Sequence, residues 1–277
     1  MIQKSSNYIA DYLKKNDKER YYASLVIDKN HRLAVQSLFA FNAEISAIPL
    51  RVNEPQSGEI RLQYYSDLLE DKACAETEKN PIAKEFIKNI KKYNLPTVPL
   101  VRLIRARRFD LYHDVMPDLQ TFEGYAGETS SLLYQYVAIM LNDGGLFENG
   151  DAAGHLGVAH ALIGHVRSFG FNASRGRIFL PYSIFEKHEV KEQQIFKGQE
   201  SENLQAAIEE ILAIALEHLT KGKEAAKLSP KNIAPAFAFA SVLSAQLKLL
   251  QRSKISALQS PKSLASWKII LKLAFSR

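Results

Sequence analysis

The sequence predicts an all-α bundle, and three observations carry that expectation. Apolar residues recur at steps of three and four through most of the chain, the spacing of a helix that buries one face. No segment alternates apolar and polar residues with the period of two that marks a strand. Pro49, Pro81, Pro96, Pro117, Pro181, Pro230 and Pro261 fall between the periodic segments, where a residue lacking an amide hydrogen belongs.

Taken in order, a first helix is expected over residues 7–15. The next, 31–48, carries Leu33, Ser37, Ala40, Phe41 and Glu44 at helical steps and runs into Pro49. A helix over 58–71 follows, then 82–93 after Pro81 and 97–111 after Pro96. Helices over 119–141, after Pro117, and over 152–169 precede the loop that reaches Pro181. The segment 203–227 shows Leu204, Ala207, Ile208, Ile211, Leu212, Ile214, Ala215 and Leu219 on one wide apolar face, with Glu and Lys opposite. Helices over 233–252 and 262–275 complete the series. At 277 residues and 46% apolar content the chain can bury a large core. No Gly/Ser/Pro-rich linker divides it, so one domain over 1–277 is expected.

Charge is unevenly placed. The net charge is +6, and no acid follows Glu224, whereas Lys227, Lys231, Lys248, Arg252, Lys254, Lys262, Lys268, Lys272 and Arg277 do. The last helix has the Trp267, Lys268 and Lys272 content of one that lies on an anionic lipid surface; the other reading docks its apolar side on the bundle. The basic end comes with no nucleic-acid reading motif, so nucleic acid is not an expected partner. No apolar run approaches the roughly 20 residues that span a bilayer. The start lacks the apolar stretch of a secretory signal, and Asp11, Asp17 and Glu19 argue against a transit peptide. A bacterial, cytoplasmic protein follows, with the basic end as a contact to the inner membrane. Its single cysteine, Cys74, excludes an internal disulfide.

The segment from Gly164 to Pro181 is the most informative. Gly164, Ser168 and Asn172 stand four residues apart, on one helical face, ahead of Arg175-Gly176-Arg177-Ile178-Phe179-Leu180-Pro181. This frame resembles the second signature of the squalene/phytoene synthase family, whose Asn and two Asp occupy those three places. Upstream, Tyr21-Tyr22-Ala23-Ser24-Leu25 and the run from Arg32 to Phe41 resemble the family's first conserved region. Its register places Ser46 and Leu50 at the two aspartates and Ala43 at an arginine that contacts diphosphate. Pro49 also ends the helix that should carry the pair. The segments Glu59 to Tyr65 and Tyr125 to Leu133 are similar to two further family segments, so the resemblance runs from Tyr21 to the last helix.

The resemblance implies the isoprenoid synthase fold, a helical bundle around a central apolar cavity. In the family, carboxylates on facing helices hold Mg²⁺ ions that stabilise a departing diphosphate. With hydroxyl, amide and hydrocarbon groups at Ser46, Leu50, Gly164, Ser168 and Asn172, no metal and no cofactor is expected there. Arg167, Arg175 and Arg177 are the candidate diphosphate contacts, because guanidinium forks match phosphate oxygens; pairing with neighbouring acids is the other reading. The blank positions look most like the branch associated with respiratory complex I assembly, which is regarded as having lost prenyl transfer. That implies a non-catalytic protein with a complex I subunit or assembly protein, a prenyl lipid or a prenyl diphosphate as its partner. The alternative is an active head-to-head prenyltransferase using Mg²⁺, with displaced acids such as Asp110 and Asp114. His155, His160 and His165 recur every five residues, which turns successive side chains by roughly 140° and is a poor spacing for metal ligands, so ordinary polar or half-buried histidines are expected.

Overall fold

A computed structural model describes residues 2–70, 79–146, 150–252, 258 and 263–276, with side chains from residue 7 onward. Cys74, Pro261 and the expected helix ends at Asp71 and Lys262 lie outside these residues. Among the described residues every regular element is helical.

Helix α1 (Ile2–Asn16) buries Ile9 and Leu13. Helix α2 (Lys18–Ser24) starts on Asp17, whose carboxylate accepts from the Arg20 amide at 3.1 Å, and α3 (Lys29–Ser46) starts on Asp28 in the same way. Pro49 does interrupt the helix as expected, but it opens a new turn. It sits in the first turn of α4 (Ile48–Arg51), where a missing amide hydrogen costs nothing. Pro55 and Pro81 likewise stand inside the starts of α5 (Pro55–Leu69) and α6 (Pro81–Lys92), rather than between helices.

Helix α7 (Thr97–Ala106) tightens into a 3₁₀ turn over Arg107–Leu111. The helix expected over 119–141 is three pieces: α8 (Leu119–Ala126), a π-helical turn over Gly127–Ser131 and α9 (Leu132–Leu141). Helix α10 (Gly150–Arg167) is followed by α11 (Phe169–Ala173), α12 (Tyr182–Lys187) and α13 (Glu192–Phe196). The long α14 (Glu202–Ala226) is capped by Ser201, whose hydroxyl accepts from the Leu204 amide at 3.1 Å. A 3₁₀ turn over Ala234–Phe237 leads into α15 (Ala240–Arg252), and α16 (Ser266–Ala274) ends the series.

Helix α10 is the central element. It packs along α14 and also meets the π turn, α8, α9 and α15, so buried residues occur on all its sides. Two glycines set how closely its neighbours approach. A β-carbon at Gly157 would collide with the backbone and hydroxyl of Ser131, and one at Gly222 of α14 would press on Leu156. Helix α16 docks by burying Ile269 and Leu273 against α2 and α15, so the docking reading holds for that face.

Substituting Gly157→Ala gains about 1 kcal/mol of helix propensity but forces the π turn away, for an expected net loss of about 1–2 kcal/mol in urea unfolding. Gly154→Ala, whose added methyl meets open space, keeps only the gain and is expected to stabilise slightly.

Candidate functional site

The C-terminal end of α10 carries the residues singled out from sequence. Gly164, Ser168 and Asn172 remain stacked although the helix breaks at Ser168. Their polar atoms are spent on one another: the Ser168 hydroxyl donates to the Gly164 carbonyl at 2.9 Å, and the Asn172 side-chain amide donates to Ser168 Oγ at 3.3 Å. At the other expected motif, the Ser46 hydroxyl at the end of α3 donates to the Ala43 carbonyl at 3.3 Å, and Leu50 of α4 is exposed. Glu44, six residues before Leu50, is half-buried and accepts from Tyr65 Oη at 3.0 Å and Asn80 Nδ2 at 3.1 Å. Burial raises its carboxyl pKa, against the lowering effect of those two donors.

The three arginines go to three different partners. Arg167 grips Glu19 of α2 with both arms of its fork, at 3.0 and 2.9 Å, and Gln246 of α15 donates to each carboxylate oxygen of Glu19 at 2.9 Å. Arg177 donates to the Asp110 carbonyl at 2.8 Å, while Arg175 lies 3.9 Å over the ring of Phe171 at the surface. Phe169, by contrast, is buried and stacks on Phe185 at 5.5 Å.

Asp110 belongs to a buried network. It accepts from Arg107 at 3.1 Å and from the Tyr125 hydroxyl at 2.8 Å, and Arg107 also donates to that hydroxyl oxygen at 2.7 Å. Burial pushes the Tyr125 phenol well above its ordinary pKa, so it stays a donor. Asp114 is exposed in the following turn, so the two acids are not brought together on one cavity.

The cavity between α2, α3, α9, α10 and the 3₁₀ turn before α15 has a volume of about 30 Å³ and is lined chiefly by apolar side chains such as Phe39, Leu133 and Phe239. That is room for about two water molecules, against roughly 300–1,000 Å³ for a pocket that encloses a small-molecule ligand. At its polar side His160 Nδ1 meets the Tyr134 hydroxyl at 3.0 Å and stacks on Phe239. Burial holds the His160 pKa well below its ordinary value, helped by the cations Arg20 and Arg167. Sequence reasoning did not single out Glu19 or Gln246. Each lies more than seventy residues from Arg167, so no local spacing signals the contact.

The Squalene/phytoene synthase family model matches residues 13–267 of this chain. The chain belongs to the squalene/phytoene synthase family. Among solved members of similar structure, a dehydrosqualene synthase superposes with a TM-score of 0.83 at 19% identity, covering 99% of this chain and 95% of its own. A squalene synthase from Alicyclobacillus acidocaldarius gives 0.74 at 16% identity, covering 90% and 93%. At such identities these likenesses establish the isoprenoid synthase fold and nothing finer. The similar curated proteins carry the name of an assembly factor. NADH dehydrogenase (ubiquinone) complex I, assembly factor 6 from Homo sapiens is 30% identical over 250 residues, 90% of this chain and 74% of that protein. Its Drosophila melanogaster homolog is 26% identical over 250 residues, 87% of this chain and 74% of that protein.

His165 gives a pH test of this end of α10. It stacks on Phe179 at 5.2 Å, and burial, with Arg107 nearby, lowers its pKa from 6.5 to about 3. The unfolded chain therefore binds a proton that the folded chain refuses between those values. The stabilisation is complete above pH 6.5 and is lost as pH falls, by up to about 1.4 kcal/mol per pH unit. Urea unfolding at pH 7 and pH 5 is expected to show this loss, and His165→Phe to show a smaller one.

Proposed function

We propose that this protein acts by binding, in the assembly of respiratory complex I, and has no prenyl-transfer activity. The observation that carries the reading is the ion pair between Arg167 and Glu19. A guanidinium fork suited to diphosphate already holds an internal carboxylate, itself fixed by Gln246. Three facts support it. Ser46, Leu50, Gly164, Ser168 and Asn172 offer no carboxylate to Mg²⁺, and without that ion the charge on a leaving diphosphate loses the largest source of stabilisation. Asp110 is committed to Arg107 and Tyr125. The curated relatives carry the name of a complex I assembly factor. A complex I subunit or another assembly protein is the partner under this reading. A prenyl or quinone-like chain enters the cavity only if Phe39 and Phe239 move aside.

Purified protein given farnesyl or geranylgeranyl diphosphate with Mg²⁺ is expected to release diphosphate no faster than buffer alone. Release at an enzyme-like rate rejects the reading in favour of an active head-to-head prenyltransferase. A deletion strain is expected to lose complex I activity, and normal activity there counts against the assembly role.

Helix α16 supports a peripheral membrane contact as a second part of the proposal. Opposite its docked face, Trp267 (60% exposed), Leu271 and Phe275 (84% exposed) form a stripe at four-residue steps, with Lys268 and Lys272 beside it. On α15, Ser241 and Ala245 border this stripe, and Lys248 and Arg252 continue the same helical face. An apolar stripe flanked by cations is the composition of a helix lying at an anionic headgroup layer. No helix among the described residues is long and apolar enough to cross a membrane. Flotation with anionic vesicles is expected to carry the protein. Replacing Lys268 and Lys272 by Glu removes at least about 2 kcal/mol, some 30-fold in binding. Equal binding to neutral vesicles, or no effect of the two substitutions, overturns it.

A further inference from the structure

Outside the site described above, two histidines and a carboxylate from three helices meet in one cluster. His155, on the N-terminal half of α10, faces His218 of α14, and their Nδ1 atoms are 3.1 Å apart. Glu123 of α8 stands 3.2 Å from His218 Nε2. All three line an open groove of about 540 Å³ between α8, the π turn, α10 and α14.

Two imidazole nitrogens aimed at each other at this distance share either a proton or a metal ion. A carboxylate at His218 Nε2 requires the ring proton on that nitrogen when the ring is neutral, which leaves the Nδ1 lone pair directed at His155. This is the arrangement in which an outer carboxylate orients a metal-ligating histidine. Nitrogens bound at 2.0–2.1 Å to a tetrahedral ion are about 3.3 Å apart, so the pair needs to open by only a few tenths of an ångström. Asp151 lies one helical turn before His155 on the same face and lines the same groove.

Two further observations favour a cation here. The groove presents Glu123, Glu128 and Asp151 against the single guanidinium of Arg102, in a chain whose net charge is +6. Its walls at Gly124, Gly127, Gly150 and Gly154 have open space where a β-carbon would stand, and one wall is the π turn, a distortion often found at functional sites.

We infer that His155 and His218 form a binding site for a divalent transition-metal ion of the Zn²⁺ class, with Glu123 orienting His218 and with Asp151 and water completing the coordination. Among the described residues no three His, Cys, Asp or Glu side chains stand placed to hold an ion, so the inferred site requires Asp151 to turn inward on binding. Imidazole nitrogens select Zn²⁺, Ni²⁺ or Cu²⁺ over Mg²⁺, which prefers an all-oxygen shell. The site uses neither Arg167 nor the apolar cavity, so it stands or falls independently of the proposed binding function.

The test is equilibrium dialysis and calorimetry of the full chain carrying Cys74→Ser, which removes the lone thiol as a competing ligand. One Zn²⁺ per chain is expected to bind in the presence of excess Mg²⁺. His155→Gln or His218→Gln is expected to abolish binding, Glu123→Gln to weaken it about tenfold, and His160→Gln to leave it unchanged. If a histidine variant fails to fold, imidazole ¹H–¹⁵N spectra of the unsubstituted chain decide: Zn²⁺ is expected to shift the ring signals of two of the seven histidines. Absence of stoichiometric binding, retention of binding in the His155→Gln/His218→Gln double variant, or ring signals that do not move overturns the inference.

Discussion

Helix α10 is packed against neighbouring elements along most of its surface, and that enclosure governs what the rest of the molecule can do. A helix with so narrow a solvent face has to be made largely of small or apolar residues, or of polar ones with partners. Gly157 admits the π turn and Leu156 nests against Gly222. The three histidines, five residues apart, are turned by roughly 140° at each step, so one helix delivers them to three unrelated surroundings. His155 meets His218 in the groove, His160 meets Tyr134 at the cavity, and His165 lies on Phe179. The spacing that argues against a metal site within α10 is what lets the helix serve several sites with its neighbours.

The same enclosure fixes the fate of the interior cations. A half-buried guanidinium without a partner is strongly destabilising, and the two nearest the site are answered by carboxylates from within the chain. Arg107 has Asp110, and Arg167 has Glu19 at the negative end of the α10 dipole. For an external diphosphate to reach Arg167 it has to displace a carboxylate that is already in place. The internal group pays no translational cost of association, and the incoming anion does. Displacement also strands Glu19 beside Gln246 with its charge unmatched. The competition therefore runs against the external ligand even though the arginine itself is retained.

Much of the fold was legible in the sequence because helical periodicity is a local signal. The long α14 falls within one residue of its expected bounds, since eight apolar positions define its face. Helices α2, α12 and α13 were not foreseen, for segments of five to seven residues complete too few turns to show a period. The π turn was not foreseen either, because the five residues Gly127–Ser131 are too few to show a period of their own. The family frame at Gly164, Ser168 and Asn172 could be read directly. The partners of Arg167 and His155 could not, because Glu19, Gln246 and His218 reach them only through the tertiary fold. For α16 the composition supported docking and a lipid-surface contact alike; the helix docks one face on the bundle and leaves Trp267, Leu271 and Phe275 exposed on the other.

The narrow cavity follows from the same reasoning on energetic grounds. An empty apolar cavity costs about 24 cal/mol per Å³, so one of about 300 Å³ left unfilled would cost about 7 kcal/mol, comparable to the whole stability of a typical domain. A prenyltransferase can offset such a cost by binding its substrate chain. A protein that holds no such chain gains by letting side chains occupy the space. Here the cavity lined by Phe39, Leu133 and Phe239 has a volume of about 30 Å³, and the Tyr134 hydroxyl meets His160 Nδ1 at its polar side. Under the proposed binding function, the small cavity and the pairing of Arg167 with Glu19 have a common rationale, because a protein that takes no diphosphate ester needs neither room for its hydrocarbon nor a free guanidinium for its charge.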